Sequence, residues 1–134
     1  MRKIIVHTGY VPYDILQKSR TLAPKGAPIQ FVMMMPETAI VDSTNELLNS
    51  INDKDVVEIA TNNIITVYAI RAYVVKHANN YNVEYRYYTE ADFKSNDSSQ
   101  YKLIKQGENG QFIDAPEGFF DTINNLIDQI LGLD

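Results

Sequence analysis

The pattern of apolar and polar residues between Asp55 and Thr89 predicts the unit around which the chain is built. A short apolar run from Asp55 to Ala60 precedes the corner Thr61–Asn63, a long apolar segment at Ile64–Ala78 and a second short run at Val83–Thr89. Two short runs joined by a helix of this length are typical of parallel strands with a right-handed crossover. Because the helix is apolar around most of its circumference, it is predicted to pack on more than one side.

The residues before this unit predict a strand, a helix and a second strand. Lys3–Val6 is an apolar run that is expected to turn at Gly9, and Pro12 can start a helix. After a loop rich in Pro and Gly, Ile29–Met35 is a continuous apolar run, which is typical of a strand covered on both faces. A further short helix is predicted from Ser43, because Glu46 follows at the spacing of a capping box.

The residues after this unit predict a hairpin and a closing helix. Tyr101–Lys105 and Gln111–Ile113 flank a glycine-containing turn and are expected to pair as antiparallel strands. Asp114 is the predicted cap of the last helix, with Pro116 in its first turn. Apolar residues then recur at helical spacing, so this helix is predicted to pack on the sheet: Phe119, Phe120, Ile123, Leu126, Ile127, Ile130 and Leu131.

Together these elements predict one α/β domain over residues 1–134. The expected architecture has three layers, with a mostly parallel sheet, helices on both faces, and a C-terminal hairpin and helix. The chain has no cysteine, which excludes disulfides, and a net charge of −5, which argues against direct nucleic-acid binding. No segment has the roughly 20 apolar residues that span a bilayer, so a cytoplasmic protein without a membrane partner is expected.

Candidate functional residues lie where the parallel strands are predicted to end, because α/β sheets bind ligands there. These corners contain no glycine-rich phosphate loop and no spaced set of metal ligands. A lone His such as His7 is more often structural than a general base. The residues singled out as candidates for binding a ligand or partner are His7, Thr8, Gly9, Tyr10, Glu37, Thr61, Asn62 and Arg71.

Two charged residues stand where apolar ones are expected. Glu58 lies in the middle of the predicted strand Asp55–Ala60, and Arg71 lies on the apolar side of the central helix. Each is expected either to reach an edge or to pair with another charge, for which the other of the two is one candidate, or else to hold a ligand.

In order and spacing, the corners resemble the carboxyl-terminal half of ABC-type ATPases of the SMC-like or OLD-like kind, found in prokaryotic defence systems. The resemblance spans nearly the whole chain, and the closing motif is its most specific part. The segments that carry it are Gly9-Tyr10-Val11-Pro12, Ala23-Pro24-Lys25-Gly26, Phe31-Val32-Met33-Met34-Met35-Pro36-Glu37, Thr61-Asn62-Asn63, Glu108-Asn109-Gly110 and Pro116-Glu117-Gly118-Phe119-Phe120-Asp121.

The resemblance implies a P-loop NTPase-like carboxyl-terminal lobe that has lost its chemistry. The positions that match the family's magnesium-binding acid and its water-polarising neighbour are Met34 and Met35, and a thioether does neither task. The position of the family's switch His is Asn62, and the phosphate-binding loop would lie before residue 1. No catalytic residue and no cofactor is therefore expected.

Two hypotheses about function follow from these observations. The resemblance implies that ATPases of this type dimerise head to tail across nucleotide. In the first hypothesis, the chain is therefore a non-catalytic lobe that docks through the surface carrying His7–Tyr13 and Thr61–Asn63. Its partner is either a complete ATPase or a second copy of itself, in bacterial defence or in a phage's response to it. In the second, the chain is a small nucleotide-binding or ligand-binding domain, with or without enzymatic activity, that uses His7, Glu37, Asn62 and Arg71. The third alternative is that the chain is a fragment or a redesigned scaffold with no independent role.

Overall fold

A computed structural model describes residues 2–19, 35–51, 56–77, 80–95, 100–116, 119–120 and 122–132. These ranges form an α/β fold with one mixed sheet of five strands. The strands are β1 (Arg2–Gly9), β2 (Val56–Ala60), β3 (Tyr81–Tyr88), β4 (Lys102–Gln106) and β5 (Phe112–Ile113). The helices in the same ranges are α1 (Tyr13–Lys18), α2 (Glu37–Asn49), α3 (Ile64–Lys76), α4 (Glu90–Ser95) and α5 (Thr122–Leu131).

The sheet has the strand order β2-β1-β3-β4-β5. Strand β1 lies between β2 and β3 and is parallel to both, whereas β3, β4 and β5 pair antiparallel. The predicted strand–helix–strand unit is confirmed as β2, α3 and β3, and the two strands are separated by β1. The predicted strand ending at Gly9 and the predicted C-terminal hairpin are confirmed as well.

The hydrophobic core lies between one face of the sheet and α3. Alternate residues of the strands point to this face, as the period of two requires. The sheet contributes Ile4, Val6, Val57, Ile59, Val83, Tyr85 and Ile104, and α3 contributes Val67, Ile70, Tyr73 and Val74. Helix α2 packs against α3 and adds Leu48 to the core, so the prediction that the central helix packs on more than one side is confirmed.

The other face of the sheet carries a ladder of charges. Lys3 Nζ lies 2.7 Å from Glu84 Oε1, and Arg86 Nε lies 3.2 Å from Glu84 Oε2. The Arg86 guanidinium also lies 4.7 Å from the ring centroid of Tyr101. Burial raises the pKa of Glu84, but the hydrogen bonds from Lys3 and Arg86 outweigh it, so the pKa lies below its usual value.

Helix α2 begins at Glu37, so the predicted helix start at Ser43 is wrong. Pro36 precedes the first turn with φ −58°, and Glu37 places a negative charge at the positive end of the helix. Buried Ile40, Thr44 and Leu48 repeat every four residues along the helix. Packing over three turns therefore outweighs the local capping signal, and Ser43 is a helix-interior residue.

Helix α5 begins at Thr122, so the predicted cap at Asp114 is also wrong. Asp114 has φ 61° and Phe120 has φ 51°, and a backbone in this left-handed region interrupts a helix. Phe119 is almost fully buried, and its ring contacts those of Tyr85, Tyr87 and Phe112. The chain turns at these residues because Phe119 enters the aromatic part of the core before the helix starts.

The described apolar side chains of α5 do not pack on the sheet, contrary to prediction. Leu126, Ile127, Ile130 and Leu131 are between 46% and 81% exposed. The predicted strand Ile29–Met35, apart from Met35, and the predicted loop at 23–28 lie outside the described residues, as do Glu117, Gly118 and Asp121 of the closing motif.

Replacing Asn63 by Ala should lower the free energy of unfolding by about 1 kcal/mol. The Asn63 side chain accepts hydrogen bonds from the backbone N–H groups of Ile65 and Thr66 and so caps α3. Ser43→Ala is the matched control, and it should be neutral or should stabilise the protein by up to about 0.5 kcal/mol, because Ala is the better residue inside a helix. Chemical denaturation of both variants measures the difference, and a larger loss for Ser43→Ala would contradict the helix start at Glu37.

Candidate functional site

Strands β1, β2 and β3 run parallel and end at the same edge of the sheet. We call this the carboxyl edge and define it by Thr8–Tyr10 at the end of β1 and Thr61–Asn63 after β2. The fold therefore brings together most of the residues that the sequence singled out, and His7 lies directly beneath them in β1.

His7 is fully buried and both nitrogens of its ring are hydrogen-bonded. Nδ1 lies 2.9 Å from the hydroxyl of Tyr88, and Nε2 lies 2.9 Å from Oε1 of Glu58. Because a carboxylate can only accept, Nε2 carries the proton and Nδ1 accepts from the Tyr88 hydroxyl. The ring thus joins β1 to β2 on one side and to β3 on the other.

The electrostatics of this cluster favour a neutral imidazole. Burial lowers the pKa of His7 below 6.5, and the hydrogen bond with Glu58 offsets this only in part. Burial also raises the pKa of Tyr88 to about 12, so its hydroxyl keeps the proton that it donates. With no exposed surface and no vacant nitrogen, His7 is placed as a structural residue rather than as a base for an external substrate.

Asn62 continues the pairing of the strands beyond their ends. Its Oδ1 accepts from the Gly9 N–H at 2.6 Å and from the Thr8 hydroxyl at 2.8 Å, and its Nδ2 donates to the Gly9 carbonyl at 3.0 Å. The Thr61 N–H donates to the His7 carbonyl at 2.9 Å. The polar groups of this corner are therefore bonded to one another.

Gly9 allows the chain to leave β1 in close contact with β3. Its φ is +83°, and a Cβ at this position would lie 2.4 Å from the carbonyl oxygen of Tyr88 and 2.9 Å from the ring of Tyr87. The next residue, Tyr10, donates its N–H to the same Tyr88 carbonyl at 2.9 Å. Only a residue without a side chain fits between these groups.

Three exposed apolar residues follow directly after this turn. Tyr10 is 50% exposed, Tyr13 is 72% exposed and Leu16 is 41% exposed. Tyr13 and Leu16 are three residues apart on α1, so they lie on one side of that helix. We call these three residues the aromatic surface. The sequence shows Tyr13 and Leu16 at helical spacing, and the resemblance places Tyr13 in the expected docking surface. Their exposure was not predicted, because residues of a short helix give no reliable sign of it.

Arg71 lies away from the carboxyl edge. Its Nε donates to the Gly110 carbonyl at 2.8 Å, and its guanidinium lies 4.2 Å from the ring centroid of Phe112. Gln106 donates back to the Arg71 carbonyl at 3.0 Å. Arg71 thus joins α3 to the β4–β5 hairpin and does not pair with Glu58, which is bonded to His7.

Glu37 is also separate from the other candidates. It is the first residue of α2 and lines a shallow groove of about 470 Å³ between α2 and α3, together with Val41, Tyr68 and Ala69. The four polar residues of the ligand-binding hypothesis are therefore spread over three places: the carboxyl edge and the strand beneath it, the start of α2, and the middle of α3.

The sequence reasoning missed the role of Tyr88 and the partner of Glu58. The available signal was that His7 and Glu58 are both polar residues inside short apolar strands, and buried polar groups need partners. The identity of the partners depends on strand register, which the sequence does not show.

Two absences can be stated for the described ranges. No group of three or more His, Cys, Asp or Glu side chains in these ranges is arranged to hold a metal ion. No helix in the part of the chain that the structure describes combines the length and the apolar character needed to cross a bilayer.

Comparison of the chain with protein families, curated proteins and solved structures gives no match.

Replacing Gly9 by Ala should destabilise the protein by about 2 to 5 kcal/mol, because the new Cβ adds a steric clash to an unfavourable backbone conformation. Gly132→Ala is the matched control: its φ is +71°, but no atom lies within 4 Å of the added Cβ. The control should lose only about 1 to 2 kcal/mol. Thermal or urea unfolding gives both values, and equal losses would contradict the close contact of Gly9 with Tyr87 and Tyr88.

Proposed function

We propose that the chain is a catalytically silent ABC-ATPase-like lobe that works as a protein-interaction module. The aromatic surface of Tyr10, Tyr13 and Leu16 is the proposed contact. The observation that supports this most directly is the exposure of these residues beside the carboxyl edge, where ATPases of this type meet one another across nucleotide according to the resemblance.

The internal hydrogen bonds of the edge support a role without chemistry. The side chains of His7 and Asn62 are bonded to Glu58, Tyr88, Thr8 and Gly9. Groups that are paired in this way are not available to hold a phosphate or to move a proton to a substrate. The sequence supports the same view, since methionines occupy the positions of the family's metal-binding and water-polarising acids.

The nature of the exposed side chains favours a protein partner. Tyr is enriched at protein interfaces because its ring buries a large apolar area while its hydroxyl remains able to form hydrogen bonds. The proposed partner is a complete ATPase of the same type, and self-association is the alternative within the same proposal. The proposed fold is the corresponding one, a three-layer carboxyl-terminal lobe of a P-loop NTPase, working in prokaryotic defence or in a phage's response to it.

The ligand-binding hypothesis makes a different demand on the molecule. It needs His7, Glu37, Asn62 and Arg71 to converge, whereas Arg71 is bonded to Gly110 and Glu37 lies at the start of α2.

Calorimetry with ATP and ADP should therefore detect no binding, and a dissociation constant in the micromolar range would favour this second hypothesis over the first.

A photo-crosslinking amino acid at position 13 should form an adduct with an ATPase or with a second copy of the chain. The same amino acid at position 56 is the control, because Val56 is 59% exposed but lies at the start of β2, at the opposite end of the sheet. Mass spectrometry of adducts formed in cells identifies the partner. Equal yields at the two positions, or adducts only with unrelated proteins, would contradict the proposal.

With the partner in hand, the double variant Tyr13→Ser/Leu16→Ser should weaken binding by roughly 30-fold or more, as expected when a buried contact worth about 2 kcal/mol is removed. Val56→Ser should leave the dissociation constant unchanged. Isothermal titration of the purified pair measures both, and unchanged binding by the double variant would place the contact elsewhere.

A further inference from the structure

We propose that His7 is a pH-responsive brace whose protonation in mild acid loosens the carboxyl edge. The proposal rests on the hydrogen bonds around the imidazole and does not depend on the protein-interaction role proposed above. It assigns a regulatory property to a buried histidine that takes part in no chemistry.

The hydrogen bonds around His7 fit the neutral ring and not the charged one. In the neutral ring, Nε2 donates to Glu58 and Nδ1 accepts from the Tyr88 hydroxyl. In the charged ring, Nδ1 also carries a proton, so the hydroxyl must turn and accept. The hydroxyl proton of Tyr88 then needs another acceptor at a site where Tyr88 is fully buried, and an unpaired buried donor is unfavourable.

The charged groups near the ring come from both neighbouring strands. Glu58 on β2 and Glu84 on β3 favour the charged ring, whereas Arg86 on β3 opposes it. Asp14 on α1 and the hydroxyl of Tyr101 lie close enough to act on Tyr88. Burial is the largest effect on His7 and decides the balance, so the neutral ring is favoured inside the folded protein.

The sign of the pH effect follows from linkage. The pKa of His7 is lowered in the folded protein and is about 6.5 when the ring is exposed. Between these two values the opened form binds more protons, so the closed form is fully stable above about pH 6.5 and loses stability as the pH falls. The equilibrium between closed and open forms shifts by up to about tenfold per pH unit in this interval.

Loosening at His7 reaches the carboxyl edge through the backbone. The His7 carbonyl accepts a hydrogen bond from the Thr61 N–H. The hydroxyl of Tyr88 bonds to Nδ1 of His7, and the carbonyl of Tyr88 accepts from the Tyr10 N–H. When the ring leaves its site, the first hydrogen bonds to break are those donated by the backbone N–H groups of Gly9, Tyr10 and Thr61. Their amides therefore report the opening.

Amide hydrogen exchange of the wild-type protein between pH 5 and pH 7.5 tests the proposal. After correction for the intrinsic exchange rate, protection of Gly9, Tyr10 and Thr61 should fall by up to about tenfold per pH unit below 6.5. The lower limit is pH 5 so that Glu84, whose pKa lies below its usual value of 4.5, remains ionised throughout. Protection that does not change with pH would overturn the proposal.

Nuclear magnetic resonance of the imidazole groups gives an independent readout. The chain has two histidines, so His77 supplies the only other set of ring signals. His7 should show the tautomer protonated at Nε2 and should titrate below 6.5. The opposite tautomer, or a titration midpoint at 6.5 or above, would also overturn the proposal.

Two variants separate the brace from a general loss of stability. In Glu58→Gln the negative charge that favours the charged ring is removed, so the His7 titration should move to a lower pH. In His7→Gln the pH dependence of the three edge amides between pH 5 and pH 7.5 should disappear. If His7→Gln does not fold, the shift in Glu58→Gln decides the question, and an unchanged or raised midpoint there would contradict the proposal.

Discussion

Strand β1 is enclosed by β2 and β3, and the rest of the structure depends on how its polar groups are satisfied. Residues Ile4 to Thr8 are all buried, so each backbone and side-chain group at the end of the strand needs a partner within the protein. The backbone finds partners in the parallel ladders on both sides. His7 and Asn62 complete them at the carboxyl edge, where the ladders end.

This constraint explains why the polar groups of the edge are bonded to one another while apolar side chains beside it are exposed. His7 and Asn62, the side chains that close β1, form their hydrogen bonds within the protein. The turn that follows needs Gly9 and delivers the chain directly to Tyr10 and α1, whose residues are not buried by the sheet. The exposed aromatic surface is thus a direct consequence of how the strand ends.

The sequence predicted the elements whose signals extend over many residues. The apolar runs of β1 and β3 and the long apolar stretch of α3 predict their elements clearly, because any other placement would expose many apolar side chains. Helix starts were predicted less well, since Ser43 and Asp114 satisfy local capping patterns that tertiary packing overrides. Because Ile40 is buried, α2 starts earlier than predicted, at Glu37. Because Phe119 is buried, α5 starts later than predicted, at Thr122.

The sequence indicated which candidate residues lie together at the strand ends, but it did not indicate their partners, because the partners depend on strand register. Glu58 and Arg71 were recognisable from the sequence as charges among apolar residues, but their partners were not. In the sheet, Glu58 lies opposite Ile5, two residues before His7, and on the same face, so its carboxylate reaches the ring diagonally. A slip of one residue between β1 and β2 would turn Glu58 towards α3 and leave His7 without an acceptor. The pairing of these two residues is therefore both a product of the register and one of the interactions that maintains it.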